Sequence, residues 1–330
     1  MKIIMYSARE EECVMSNEWG EKRGIEIKNV FEPLSLENID LVKGFDGLCL
    51  CQTKEVDKRI YKELNARGIS QIASRTAGVD MFDLKKATKY GLTITNVPVY
   101  SPNAIAEYAV TASLNITRHV IQIADAMKRQ DYRWTKDILS KEIRSMTVAI
   151  VGTGRIGCIA ARIFKAFGAR VIGFDLYPSD KVKDCIEYVD TLDEVVKQAD
   201  LISLHMPATK DNFHLFNKTM FDKMKDGVFF VNTARGTIVD TKALIEALNS
   251  GKVAAAALDT YENEGNYYTN DLSGKEIKDE MLKELTRRKD VLITPHTAFY
   301  TETAVKALVE GGLDGVYDIL KTGCSENKVN

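Results

Sequence analysis

The run "VAIVGTGRIGCIAARIF", residues 148–164, narrows the possible folds of this 330-residue chain more than any other stretch. An apolar strand meets a turn with glycine at 152, 154 and 157, and a helix opens behind it with the small residues Ala160 and Ala161. A glycine-rich turn alone is weak evidence, but the strand before it and the helix after it are what a dinucleotide site requires. Gly152 permits the tight turn, Gly154 lets a pyrophosphate approach the backbone, and Gly157 lets helix and strand pack closely. The amino end of the helix then offers unpaired N–H groups to the phosphates. The next strand closes on Asp175, 18 residues past Gly157. That is near the ~20 expected for a carboxylate that bonds the adenosine ribose hydroxyls. The same carboxylate would repel a 2′-phosphate, so NAD is expected rather than NADP. Arg155 lies at the pyrophosphate turn, before Asp175, and does not weigh against this.

The turn belongs to a larger pattern. Six apolar runs can be read as strands, at 148–151, 170–174, 201–205, 228–232, 253–258 and 291–294. Strands buried on both faces read as continuous apolar runs, and helical segments such as "LDEVVKQA" and "TKALIEALNSG" separate these. The pattern predicts an α/β fold with a doubly wound parallel sheet. The polar segment before the last strand reads as a loop plus a surface helix. Upstream, five further strands ("KIIMYSA", "IEIKNV", "DGLCLC", "SQIASRT", "LTITNV") alternate with helices that end on glycine. Ser101 and Pro102 suit an N-cap and a first helical turn. Residues 103–129 read as one long helix, apolar on most faces and so expected to be buried between two bodies of protein. The tail from Thr301 to Asn330 reads as helical and could pack back on the first block.

Charge and cysteine usage exclude several functions. Lys and Arg number 45 against 47 Asp and Glu, with no basic stretch able to neutralise a run of phosphates, so no nucleic-acid partner is expected. No apolar run approaches the roughly 20 residues of a membrane helix. The start "MKIIMYSAREEE" has too short an apolar run for a signal peptide, so a cytoplasmic protein is expected, with no membrane partner. None of the six cysteines forms a C-x-x-C pair or has a histidine at ligand spacing, which predicts free thiols and no metal. Cys49 and Cys51 fall in one strand, on one face.

Ligands of an open parallel sheet sit outside the carboxyl ends of its strands. The fourth of the six strands is followed by Arg235, the fifth by Asp259, Glu262 and Glu264, and the sixth by His296. An arginine grips a carboxylate with two parallel bonds. A histidine gives and takes a proton near neutral pH, and a neighbouring carboxylate favours its imidazolium form. Beside a hydride donor, the set suits reduction of a 2-oxo acid, with His296 as the acid–base group. His205, at a strand end, reads as a packed or cofactor-lining residue, and His119 and His214 read as structural.

These residues, together with "RTAGVDMFDL", "NVPVYSPNAIAEYAV", "VGTGRIG", "NTARGTIVDT", "AALDTYENE" and "ITPHTAFYTETAV", resemble the D-2-hydroxyacid dehydrogenase family. Within it they are most similar to the branch that reduces pyruvate to D-lactate. The resemblance runs over almost the whole chain and implies a Rossmann-type NAD-binding domain, 101–298, inserted into a smaller flavodoxin-like substrate domain, 1–100 and 299–330. It implies a catalytic set of Arg235, Glu264 and His296, with Glu264 preferred over Glu262 because the family acid lies five positions after Asp259. Family cofactor positions fall on Arg155, Ile156, Asp175, Met206, Pro207, Asn212, Thr233, Ala234, Arg235 and Asp259. The amides of Ala77 and Gly78 would bind the substrate carboxylate with Arg235, and Tyr100 and Phe299 would line the pocket. The family is usually homodimeric. Cys51 stands where many lactate enzymes carry tyrosine, which leaves room for bulkier 2-oxo acids. Branched-chain or aromatic 2-hydroxyacid dehydrogenases are therefore the near alternative, and an NAD-sensing corepressor-type protein is the remote one.

Overall fold

Alternation of strand and helix runs through the whole chain, and it builds two parallel sheets. The computed structural model of the protein describes residues 1–52 and 54–330. One compact unit comprises Met1–Ser101 and Tyr300–Asn330, the other Pro102–Phe299.

The first unit contains β1 (Lys2–Tyr6), α1 (Glu10–Glu21), β2 (Glu26–Asn29), β3 (Gly47–Leu50), α2 (Ile60–Ala66), β4 (Gln71–Ser74), α3 (Leu84–Lys89) and β5 (Thr93–Thr95). Every pairing is parallel, in the order β2-β1-β3-β4-β5. This is the flavodoxin-like order, which reverses between its first and third strands. The helix α1 is absent from the sequence-based expectation. Its first turn holds Glu10, Glu11 and Glu12, acids that complement the positive end of the helix, and Glu12 reaches back to the Arg9 N–H at 2.9 Å.

The second unit contains α4 (Pro102–Thr117), α5 (Val120–Lys128), β6 (Thr147–Val151), α6 (Arg155–Ala166), β7 (Arg170–Phe174), β8 (Glu187–Tyr188), α7 (Leu192–Gln198), β9 (Leu201–Leu204), α8 (Lys218–Lys223), β10 (Val228–Asn232), α9 (Thr241–Asn249), β11 (Val253–Leu258), α10 (Glu280–Arg287) and β12 (Val291–Ile293). Its seven parallel strands run β12-β11-β10-β9-β6-β7-β8, the Rossmann order with one strand added at the far edge. The order reverses between β6 and β9, beside the glycine turn. Alternate residues feed the two faces: Val228 and Phe230 of β10 join one core, Phe229 and Val231 the other. Six strands are expected from the sequence; the seventh, β8, is only two residues long and carries no period to read.

The long helix expected over 103–129 is two helices. His119 adopts a left-handed backbone (φ +54°) that ends α4 and starts α5. The inner face of α4 packs on α6, β10 and β11. By contrast, α5 buries no residue at all, so the expected burial fails there.

The chain re-enters the first unit as α11 (Glu302–Thr322), which ends at Gly323 in the left-handed conformation. The expected helical tail stops at that point. The residues beyond it turn back along β5, where the Val329 N–H donates to the Ile94 carbonyl at 3.0 Å.

Candidate active site

The glycine turn shows a distinct reason for each glycine. Gly152 has φ +93°, and a Cβ there would lie 2.7 Å from the His205 carbonyl carbon. A Cβ on Gly157 would lie 2.0 Å from the Gly152 oxygen, so helix and turn meet backbone to backbone. Around Gly154 the space is open, with nothing within 4 Å of a built Cβ. Behind it, Arg155 and Ile156 open α6, whose first-turn N–H groups have no partner within the helix. Asp175 Oδ2 accepts from the Thr153 N–H at 2.5 Å, and Oδ1 accepts from the Tyr177 N–H at 2.8 Å. The carboxylate is thereby fixed at the rim of the turn. Tyr188 of the unforeseen strand β8 braces the same place, its hydroxyl 2.8 Å from Thr153 Oγ1.

Past β9, Asn212 ties one turn together. It accepts from the Thr209 N–H at 2.7 Å, and its Nδ2 donates to the Pro207 carbonyl at 2.8 Å and lies 3.6 Å from Met206 Sδ. His205 is half-buried with Nε2 2.9 Å from Ser203 Oγ, and burial pushes its pKa down to about 4. Among the described residues, the His205 Nδ1 and the buried Thr233 Oγ1 have no hydrogen-bond partner. An unpaired buried polar atom is costly, and His205 stands against the turn at Gly152, where a bound polar ligand would satisfy it.

At the end of β12, His296 has a left-handed backbone (φ +56°). Asp259 holds it there. Its carbonyl accepts the His296 N–H at 2.8 Å. Its buried carboxylate accepts from Thr294 Oγ1 at 2.7 Å and from the Thr297 and Ala298 N–H groups at 2.8 Å each. Those contacts make Asp259 a clamp on the histidine loop. The threonines flanking His296 were not among the expected site residues. Only their spacing around the histidine could have marked them.

His296 Nδ1 meets Glu264 Oε1 at 2.6 Å, and Glu264 Oε2 accepts from the Tyr261 N–H at 3.0 Å. Glu262 instead pairs with His214 Nε2 at 3.0 Å. Arg235 follows β10 in a loop held by Asn232, whose side chain donates to the Arg235 carbonyl and accepts the Ala234 N–H. That loop lies against the glutamate loop with no space between, since a Cβ on Gly236 would stand 2.1 Å from the Tyr261 carbonyl carbon. One guanidinium nitrogen of Arg235 donates to the Ala234 carbonyl at 2.8 Å. Chemically, the unit offers a histidine backed by a carboxylate, a nearby arginine and a dinucleotide cradle.

The other expected residues belong to the first unit, apart from Phe299, the last residue of the second. Cys51 follows β3 and is half-buried rather than part of the strand. Ala77 and Gly78 lie beyond β4, and among the described residues their N–H groups have no acceptor. Tyr100 sits one residue before Ser101, where the first unit's amino-terminal segment ends.

Residues 110–298 match the family model for the D-isomer specific 2-hydroxyacid dehydrogenase NAD binding domain. The chain belongs to the D-isomer specific 2-hydroxyacid dehydrogenase family. A D-lactate dehydrogenase of Staphylococcus aureus is 44% identical over 329 residues, 100% of this chain and 99% of that one. A crystal structure of a D-lactate dehydrogenase from Treponema pallidum superposes with a TM-score of 0.91 at 43% identity, covering 100% of both chains. A D-2-hydroxyisocaproate dehydrogenase structure gives 0.89 at 36% identity, covering 100% of this chain and 99% of that one. The family, the two-sheet α/β fold and the NAD cofactor agree with the expectation from sequence. In this member of the family, His296 and Glu264 are in direct contact.

Proposed function

We propose that the protein is an NAD-dependent D-lactate dehydrogenase that reduces pyruvate reversibly. The observation that carries this is the 2.6 Å contact between His296 Nδ1 and Glu264 Oε1. With Nδ1 engaged, Nε2 is the nitrogen that gives a proton to the carbonyl oxygen, and Glu264 stabilises the imidazolium form. Arg235 and the amides of Ala77 and Gly78 hold the carboxylate, with Tyr100, Phe299 and Cys51 lining the pocket. Bound NADH supplies the hydride. Gly152–Gly157 would cradle its pyrophosphate, Asp175 would take the ribose hydroxyls, and Met206, Pro207, Asn212, Thr233, Ala234 and Asp259 would complete its site. On this reading the NAD-binding domain spans 101–298, and the substrate domain 1–100 and 299–330.

Two further expectations have support. The exposed side chains of Val120, Ile121, Ile123 and Met127 on α5, with Trp134 97% exposed beyond it, form an apolar surface suited to a second copy in a homodimer. A cytoplasmic setting suits six free cysteines, and among the described residues no helix is long and apolar enough to cross a membrane.

The first experiment follows NADH absorbance with pyruvate, 2-oxoisocaproate and phenylpyruvate in turn. Fastest oxidation with pyruvate, giving D-lactate, supports the proposal. Faster oxidation with the bulky acids moves the assignment to the wider-pocket enzymes that Cys51 leaves open. Asp175→Ala should narrow the NADH-over-NADPH preference at least about tenfold, as loss of a charge-assisted bond does. An unchanged ratio would remove Asp175 from cofactor selection.

A further inference from the structure

Arg75 has the largest of the fully buried side chains, only 1% exposed, and no step of the proposed reaction uses it. It stands directly after β4, two residues before Ala77. Its N–H donates to the carbonyl of Leu50, the last residue of β3, at 2.8 Å. Its guanidinium donates to the Tyr6 carbonyl at 3.1 Å, the Ser7 carbonyl at 2.9 Å and Glu12 Oε2 at 2.9 Å. One residue thus ties together the carboxyl ends of β1, β3 and β4, the edge at which an open parallel sheet binds its ligand. Glu12 is 0% exposed and is held from its other side by Arg9, through the N–H and Nη2, each at 2.9 Å.

A buried ion pair is a poor source of stability, because desolvation offsets the attraction between the charges. A planar guanidinium is, however, a good template, since its donors are fixed in direction. Room for it is built into the fold. A Cβ on Gly312 of α11 would stand 2.7 Å from Arg75 Cγ and 2.9 Å from Cys49 Sγ. The loop that follows Arg75 is held by its carbonyls: Thr76 accepts the Val97 N–H at 2.9 Å, Ala77 accepts Asn96 Nδ2 at 2.6 Å, and Gly78 accepts Thr76 Oγ1 at 2.6 Å. Among the described residues the amides of Ala77 and Gly78 are left with no acceptor.

We propose that Arg75, paired with Glu12, is a positioning residue that fixes these two amides as the cradle for the substrate carboxylate. The inference rests on the assignment of Ala77 and Gly78 proposed above. Three variants test it. Arg75→Lys keeps the charge and loses the planar fork. Arg75→Met with Glu12→Met removes both charges together, so that neither is stranded. Gly312→Ala crowds Arg75 without touching a charge, although alanine favours a helix over glycine.

For each, KM for pyruvate, kcat, the Kd of NADH, and the Kd of oxamate (a pyruvate-shaped carboxylate) in the NADH complex are measured. KM for pyruvate and Kd for oxamate should rise about tenfold or more, the scale of a small misplacement of binding groups. The Kd of NADH should stay within about twofold, as expected when only substrate contacts change. Folded variants with wild-type KM and oxamate Kd would overturn the inference, even if they melt earlier, because a merely structural role moves only stability. Should the double variant not fold, Arg75→Lys and Gly312→Ala decide the question. A wild-type protein that neither reduces a 2-oxo acid nor binds oxamate would instead overturn the functional reading, and this inference with it.

Discussion

Glu262 and Glu264 lie in one short loop, and each holds a histidine, yet the two pairs differ in what they can do. The pairs are alike in most measurable respects. Exposure is 27% and 18% for His296 and Glu264, and 29% and 15% for His214 and Glu262, so burial does not separate them. Both histidines have left-handed backbones, at φ +56° and +50°. The separation lies in which ring nitrogen faces the carboxylate. His296 uses Nδ1, the nitrogen nearer its own main chain, and leaves Nε2 at the far end of the ring for a ligand. His214 spends Nε2 on Glu262 and is covered on one ring face by Phe213, stacked at 4.0 Å. The second oxygens diverge as well: Glu264 accepts from Tyr261 in its own loop, whereas Glu262 accepts the Thr241 N–H at the start of α9. On the proposed function one pair delivers a proton, while the other holds two connections together.

The largest effect is expected from His296→Gln. Losing a general acid costs about 10²–10⁴ in rate, so kcat should fall roughly a thousandfold while the Kd of NADH stays within about twofold. Normal turnover with lost NADH binding would contradict the assignment. Glu264→Gln comes next, with kcat lower by about a hundredfold and KM for pyruvate little changed, because the amide still orients the ring but stabilises the imidazolium poorly. Equal losses from Glu264→Gln and Glu262→Gln would break the comparison between the pairs.

A third histidine shows the consequence of having no carboxylate. Among the described residues the His205 ring meets Ser203 Oγ alone, and burial pushes its pKa down to about 4. A folded-state value below the unfolded one, about 6.5 for histidine, means the unfolded chain binds the extra proton first as pH falls. The stability linked to neutral His205 is therefore complete above about pH 6.5 and is lost progressively as pH falls toward 4. At pH 5 the loss is about 2 kcal/mol as an upper figure. His205→Gln should flatten the decline in unfolding free energy between pH 7 and 5 by that amount. An identical pH slope in the variant would show that His205 is not held neutral.

Much of the molecule was legible in the sequence, and the misses have physical causes. Continuous apolar strands and the 152–157 turn announced a doubly wound sheet, and position at a strand end singled out His296. The partner of His296 was harder. Glu262 and Glu264 sit two residues apart in an irregular loop where no period says which way a side chain points, and only family register favoured Glu264. The first turn of α1 carries three glutamates that look like a solvated charge run, so helix and buried Glu12 were both missed. His119 breaks the long helix through a left-handed backbone that a non-glycine residue does not advertise. Strand β8 is too short to carry alternation. The clamp formed by Asp259 depends on Thr294, Thr297 and Ala298, 35 or more residues away, which only the folded sheet brings near.

The smallest effect sharpens the comparison most. His214→Gln removes a partly exposed histidine–carboxylate contact, and even a charged contact so exposed contributes about 1 kcal/mol or less. Glu262 keeps its bond to the Thr241 N–H, so α9 remains capped and the Arg235 loop remains seated against Tyr261 and Glu262. Denaturant unfolding should therefore show a loss near 1 kcal/mol, with kcat and KM for pyruvate within about threefold of wild type. A hundredfold fall in kcat from so small a loss of stability would mean that His214 acts on the reacting atoms. The distinction drawn between the near and far ring nitrogens would then be wrong.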